Sequence, residues 1–157
     1  MITEQMSKKL TISSINTGMV IDHIPDKRSF KISSILNLYK YAGSVAIISS
    51  AKSKSMGFKD IIKLEGKHLD LEEIDKIALL APGATINIIE NSRVISKKLL
   101  STPIKINGLL KCFNPNCITN HEIIKTKFVT ESTNPYVIRC VYCERTFQDD
   151  IIRRMLV

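Results

Sequence analysis

Four cysteines are confined to residues 112–143, and the rest of the chain has none. They are spaced Cys112-x4-Cys117-x22-Cys140-x2-Cys143. Two close pairs, each inside a tight turn, can converge as four thiolates on one ion, and zinc accepts tetrahedral sulfur at about 2.3 Å. Asn114-Pro115-Asn116 fills the first turn and Val141-Tyr142 the second. Four protein ligands leave no position open for water, so such an ion, one per chain, is structural rather than catalytic. In a segment this small, metal binding is largely folding free energy, roughly 10–16 kcal/mol in zinc-finger peptides. Two disulfides, four buried thiols or an iron–sulfur cluster are the alternatives; His121 could substitute as a ligand, but beside a full cysteine set it is expected to face solvent or a hydrogen-bond partner. The clustering of the thiols speaks for a metal, since secreted proteins usually spread their bridges over the fold.

The remainder of the 157 residues must fold without such a staple. Hydrophobic residues make up 44% and aromatic ones 6%, with no Trp, so the cores must be built from Ile, Leu and Val. Ser101-Thr102-Pro103 reads as a joint, dividing the chain into residues 1–103 and 104–157. Residues 1–10 contain no apolar core of signal-peptide length. The longest apolar runs, such as 78–82 and 45–48, are too short to span a bilayer. The expected location is cytoplasmic.

Short β-type runs at Leu10–Ile15 and Met19–Ile24 open the chain, separated by Asn16-Thr17-Gly18. Asp26 is positioned to cap a helix over Lys27–Tyr41 with Phe30, Ile32, Ile35, Leu36 and Tyr39 on one face. Ser44–Ser49 reads as a buried strand, 49–57 as a polar flexible segment, and Phe58–Glu65 as a strand. Asp70 with Glu73 forms a capping pattern ahead of Ile74, Ile77, Ala78 and Ala81, and Pro82-Gly83 ends that helix. Ala84–Glu90 alternates as a strand, and Arg93–Ile95 can pair beside it after Asn91-Ser92. The expected fold class is α+β. A ferredoxin-like β-α-β-β-α-β unit with an extra strand precedes a small all-β metal domain, built from runs at 104–111, 123–130 and 136–140 with a helical turn at 150–156.

The net charge of +8 favours an anionic partner, unless it only keeps a Lys-rich chain in solution. Asp22-His23, with Lys59, Lys63, Lys97 and Lys98 on later strands, has the chemistry of a polyphosphate site: compact cations for phosphate, a carboxylate for ribose hydroxyls, a histidine donor. The same lysines could equally line a solvated face. No Gly-x-Ser-x-Gly, His-Glu-x-x-His or phosphate-loop motif is present, and no cysteine remains as a nucleophile. Asp149-Asp150 and Glu72-Glu73 are adjacent pairs suited to capping or solvation, so no enzyme site is expected. A nucleic-acid-binding zinc ribbon is the other reading of a basic chain, but the cysteine segment lacks an aromatic and basic stacking platform.

Beyond these features, several segments resemble a known family. They are Gly18-Met19-Val20-Ile21-Asp22-His23-Ile24-Pro25, Met56-Gly57-Phe58-Lys59-Asp60-Ile61-Ile62-Lys63, Ala81-Pro82-Gly83-Ala84-Thr85-Ile86-Asn87 and the two cysteine turns. In order and spacing, from about Lys9 to Phe147, the chain resembles the regulatory chains of aspartate carbamoyltransferase. The resemblance implies a non-catalytic subunit of pyrimidine biosynthesis with an N-terminal allosteric domain and a C-terminal zinc domain. It implies regulatory homodimers that bridge separate catalytic trimers, with neither nucleic acid nor membrane as a partner. It also implies CTP and ATP as competing effectors, with UTP acting beside CTP in some members.

By the same resemblance, the nucleotide pocket falls on Ile12, Ser13, Ser14, Ile15, Val20, Asp22, His23, Lys59, Ile61, Lys63, Asn87, Ile89, Ser92, Val94 and Lys97. Asp22 and Lys63 are expected at the ribose, His23 and Lys97 at phosphate, and backbone groups near Ile15 and Ser92 at the base. Asn114, Asn116, Tyr142, Glu144 and Arg145 match positions facing the catalytic chain. Two departures bear on specificity. Ser13 replaces an acidic residue and Ser92 a tyrosine of the enteric bacterial type, which is expected to loosen base discrimination. The loop between the cysteine pairs is one residue shorter than in that type.

Overall fold

The computed structural model describes residues 15–157. The expected strand at 10–15 lies outside the described residues except for Ile15, which is buried. The N-terminal half runs β1 (Gly18–Pro25), α1 (Ser29–Ile35), a single 3-10 turn (Leu38–Lys40), β2 (Val45–Ser53), β3 (Gly57–Glu65), α2 (Leu71–Leu80), β4 (Thr85–Glu90) and β5 (Arg93–Leu99). The five strands form one sheet in the order β2-β3-β1-β4-β5, antiparallel at every pairing. This is the expected β-α-β-β-α-β unit with β5 added at its edge.

Register sorts the side chains onto two faces. Ile21, Ile62 and Ile86 lie side by side on one, with Met19 and Leu64 beside them, and all five are buried with Ile32 of α1, Leu36 just after it, and Ile77, Ala78 and Leu80 of α2. Both helices therefore pack on that face, each fully buried aliphatic contributing about 1.5–3 kcal/mol. Among the described residues, no helix packs on the opposite face. At the start of β1, Gly18 is needed for space, because a Cβ there would sit 2.0 Å from the Leu64 carbonyl oxygen.

The first helix is shorter than its apolar pattern suggests. It ends at Ile35, and Asn37 in the left-handed region (φ 51°) turns the chain. Phe30 and Tyr39 are 58% and 73% exposed, so neither belongs to the buried face. Asp26 does not cap it; the residue before the helix is Arg28, and Asp26 accepts instead from Ser50 Oγ at 2.6 Å. The segment expected to be flexible continues β2 as far as Ser53. The expected capping box on α2 is present: Glu73 N–H donates to Asp70 Oδ1 (2.8 Å) and Asp70 N–H to Glu73 Oε2 (3.0 Å).

The C-terminal half holds β6 (Lys105–Asn107), a 3-10 turn (Ile118–Asn120), β7 (Lys127–Thr133), β8 (Tyr136–Cys140), β9 (Thr146–Gln148) and α3 (Asp149–Met155). Its sheet order is β6-β7-β8-β9. The strand expected from Ile123 begins only at Lys127, and Ile123 itself is fully exposed. Phe128, Ile138, Phe147, Ile106, Ile152 and Met155 form the second core, with the Phe128 and Phe147 rings edge-on at 6.3 Å. Leu79 of α2 belongs to this core while its neighbours Ala78 and Leu80 belong to the first. An unbroken buried run from Ile77 to Ala81 follows, because α2 is wedged between the two cores. Arg28 adds a polar tie, donating from Nη1 to the Leu80 carbonyl at 2.8 Å.

Candidate metal centre and open sheet face

Cys140 ends β8, and the turn after it carries Cys143, closed by Cys140 N–H to Arg145 O (2.9 Å) and Glu144 N–H to Cys140 O (3.0 Å). Cys112 and Cys117 lie in the long excursion between β6 and β7. There Asn114 shapes the turn: its carbonyl accepts from Cys117 N–H (3.0 Å) and its side-chain oxygen from Asn116 N–H (3.1 Å). The Asn120 amide ties the same turn down, donating to the carbonyls of Cys112 (2.9 Å) and Asn114 (2.7 Å).

All four Sγ atoms lie within 4.8 Å of one another. Cys112 and Cys143 are 3.7 Å apart, Cys117 and Cys140 3.8 Å. Four sulfurs about 2.3 Å from a common centre stand about 3.8 Å from each other, whereas a disulfide needs about 2.05 Å. The donor set therefore fits one tetrahedral ion and no disulfide pairing. His121 is not in the cluster; its Nε2 is 2.7 Å from the Pro115 carbonyl, which shapes the turn from outside. Thr119 Oγ1 donates to Cys117 Sγ at 3.2 Å, the kind of hydrogen bond that fixes a ligand sulfur. Thr119 and Asn120 carry no spacing signal in the sequence.

Burial pushes the Cys112 and Cys140 thiols up. Burial also works on Cys143, but the Asn114 side chain, the Arg145 N–H and the neighbouring thiols outweigh it and hold that group at about 7. A bound divalent cation supplies the charge that deprotonates the buried pair. Around the cluster, Asn116, Glu144 and Arg145 are exposed, together with Tyr142 and the apolar Phe113, Ile118 and Val141. Asn114 is only 7% exposed; it holds the turn together rather than forming surface.

The uncovered face of the N-terminal sheet collects most of the remaining candidates. Lys63, Val20, Asn87 and Lys97 form one row across β3, β1, β4 and β5. Asp22 lies opposite Thr85, and its Oδ1 is 2.9 Å from Lys59 Nζ. Burial works to raise the Asp22 carboxyl, but the Lys59 hydrogen bond, the His23 N–H (2.6 Å) and the charges of Lys59 and His23 hold it low. His23 occupies a bulge with φ 57°, which brings its Nδ1 to 3.3 Å from Thr85 Oγ1. Ile61, between Lys59 and Lys63, shares the face, as do Ile89 and Val94, paired near the far end of β4 and β5. Among the described residues, neither Lys63 nor Lys97 has a carboxylate partner. Lys98 pairs with Ile86 and so belongs to the other face.

Ser92 sits in a two-residue turn with Asn91, both at positive φ. It is tied to Asn16 through Ser92 N–H to Asn16 O (2.8 Å) and Ser92 Oγ to Asn16 Oδ1 (3.2 Å). Ile12, Ser13 and Ser14 lie outside the described residues. No described helix is long and apolar enough to cross a membrane.

Comparison with known proteins covers nearly the whole chain. Residues 10–101 match the family described as aspartate carbamoyltransferase regulatory chain, allosteric domain, and residues 104–153 the metal binding domain of the same chain. A relative from Pyrococcus horikoshii bearing that regulatory-chain name is 50% identical over 146 residues, 92% of this chain and 96% of its own. One from Thermococcus sibiricus is 45% identical over 150 residues, 96% and 99% of the two chains. One from Methanocaldococcus jannaschii is 46% identical over 145 residues, 92% and 96%.

Proposed function

The chain belongs to the aspartate carbamoyltransferase regulatory chains, a non-catalytic family with an allosteric and a metal-binding domain, and from this we propose that it senses CTP and ATP and passes their occupancy to a separate catalytic chain. The observation that carries the nucleotide reading is the row Lys63–Val20–Asn87–Lys97 beside the Asp22–Lys59 pair, on a sheet face that no described helix covers. Two lysines without carboxylate partners among the described residues suit an anion, which a triphosphate supplies. Asp22 and Lys63 serve the ribose, His23 and Lys97 the phosphates. Ile61, Ile89 and Val94 give an apolar floor, and Ile15 and the Ser92 turn serve the base, with Ile12, Ser13 and Ser14 assigned to the same pocket by the family resemblance. UTP is a third ligand of the same kind. Serine at 13 and 92 presents no aromatic wall, so base discrimination rests on backbone groups.

The ion is zinc, one per chain, held by Cys112, Cys117, Cys140 and Cys143. It supplies folding free energy and a rigid turn pair, with no catalytic role. Asn116, Tyr142, Glu144 and Arg145, with Asn114 acting through the turn it holds, dock this half onto catalytic trimers. Regulatory chains pair as homodimers in the cytoplasm, within pyrimidine biosynthesis. The division at residues 103 and 104 separates the effector half from the docking half. An effector acts only through unequal affinity for the two quaternary states of the assembly.

Calorimetry of the purified chain with CTP and with ATP tests the sensing claim. Saturable heat with both, each displacing the other, is expected. No heat and no thermal shift with either would overturn it.

A further inference from the structure

Asp60 is the one buried charged side chain among the described residues, at 0% exposure, and it faces away from the lysine row. Burying a carboxylate is costly unless it is fully hydrogen-bonded. Here Oδ2 accepts from Ser29 N–H (3.1 Å) and Ser29 Oγ (2.5 Å), and Oδ1 from Ser50 N–H (2.9 Å). These donors come from two different elements, the first turn of α1 and the middle of β2, and the Lys27 backbone in the turn before α1 adds to them.

The position of Asp60 along β3 matters more than the bonds themselves. On one side β1 slips by one residue between Ile21 and Ile24, and Ile24 pairs with Asp60. On the other side β2 slips by one residue between Ile48 and Ala51, with Ser50 at φ 57°. Both bulges, at His23 and at Ser50, are left-handed at a non-glycine residue, a conformation that persists only where neighbours impose it. The Ser50 bulge is held directly by Asp60. The His23 bulge is held through a closed circuit: Ile24 pairs with Asp60, the chain turns over Pro25–Arg28 (Arg28 N–H to Pro25 O, 3.1 Å), and Ser29 returns to the Asp60 carboxylate.

Resting on the nucleotide reading above, we propose that Asp60 is the positioning residue of the effector face, fixing from beneath the sheet the bulge that presents Asp22 and His23. Without the carboxylate, Ser29 is no longer tied back to the strand that pairs with Ile24, the circuit opens, and the bulge can migrate along β1. A slip there breaks the Asp22–Lys59 pair and removes both groups from the row formed by Lys63 and Lys97.

The test uses the full chain with its zinc and compares wild type, Asp60→Asn and the core control Ile77→Val, whose side chain lies on α2 and makes no hydrogen bond to the bulge. CTP titration by calorimetry is paired with backbone amide NMR of the ligand-free chain. Asp60→Asn is expected to weaken CTP about tenfold, the low end for loss of a supporting residue. It should also shift the His23 amide, which lies on the neighbouring strand and shares no hydrogen bond with the Asp60 side chain. Ile77→Val should lower the melting temperature yet keep CTP affinity within about twofold. Should Asp60→Asn not fold, Ser29→Ala removes one donor and is expected to move the same amide, with a smaller loss of affinity. Wild-type affinity and an unmoved His23 amide in a folded variant would overturn the proposal. If the wild-type chain binds no CTP, the functional reading fails on its own, and an unmoved His23 amide would still overturn the positioning role.

Discussion

Cys140 has no exposed surface, and its sulfur lies 3.8 Å from that of Cys117. Replacing that thiol with a hydroxyl leaves three sulfurs and a buried oxygen, a poor site for a soft-ligand ion. Cys140→Ser is expected to lose its zinc by elemental analysis and to elute apart from catalytic trimers in size-exclusion chromatography; a strong chelator should do the same to the wild type. A different residue governs acid stability. Burial works to raise the Asp60 carboxyl, but bonds from Ser29, Ser50 and Lys27 hold it below its usual 3.8. A group whose folded pKa is depressed contributes stability that is complete above its unfolded value and is lost as pH falls through the folded one. Urea midpoints of wild type and Asp60→Asn should therefore differ most at neutral pH, by about 1–3 kcal/mol for donors left unsatisfied. The gap should begin to narrow below about pH 4, the unfolded value, and close only as pH falls through the depressed folded value. A constant gap down to pH 3 would contradict this account of the carboxylate.

Among the elements, α2 decides how the two halves meet. Leu79 lies in the second core, whereas Ile77, Ala78 and Leu80 lie in the first. Leu79→Ala is expected to cost about 2–5 kcal/mol and, by loosening the wedge, to split one thermal unfolding transition into two. A single transition shifted by less than 1 kcal/mol would contradict the shared-helix description. This element also shows where sequence reasoning stops. Its capping box and the stripe of Ile74, Ile77, Ala78 and Ala81 follow from local spacing, but a second buried face at Leu79 depends on a core assembled some thirty residues later. The cysteine cluster was readable because ligand spacing is itself local. The end of α1 was not, since Asn37 interrupts an apolar pattern that continues to Tyr39. Nor were the bulges at His23 and Ser50, set by Asp60 from the neighbouring strand. Register alone places Lys97 on the open sheet face and Lys98 on the other. Strand β9 is three residues long and leaves no periodic trace.

At the scale of the whole molecule, the open sheet face and the cysteine cluster occupy different halves, joined through the α2 wedge at Leu79. Burial lowers the pKa of Arg28, with Arg153 of the C-terminal half adding to the effect and Asp149 opposing it, so charges from both halves meet at this junction. An event on β1 or β3 can thus reach the C-terminal half through packed, bonded groups rather than through a flexible linker. The central claim is that nucleotide occupancy of this chain alters an enzyme on another chain. Aspartate saturation of the complex reconstituted with catalytic trimers, titrated with CTP and ATP, tests it most directly. The account predicts a half-saturation point that moves with each nucleotide in the wild-type complex and stays fixed when the regulatory chain carries Lys63→Ala. Saturation curves that superimpose with and without nucleotide in the wild-type complex would contradict it.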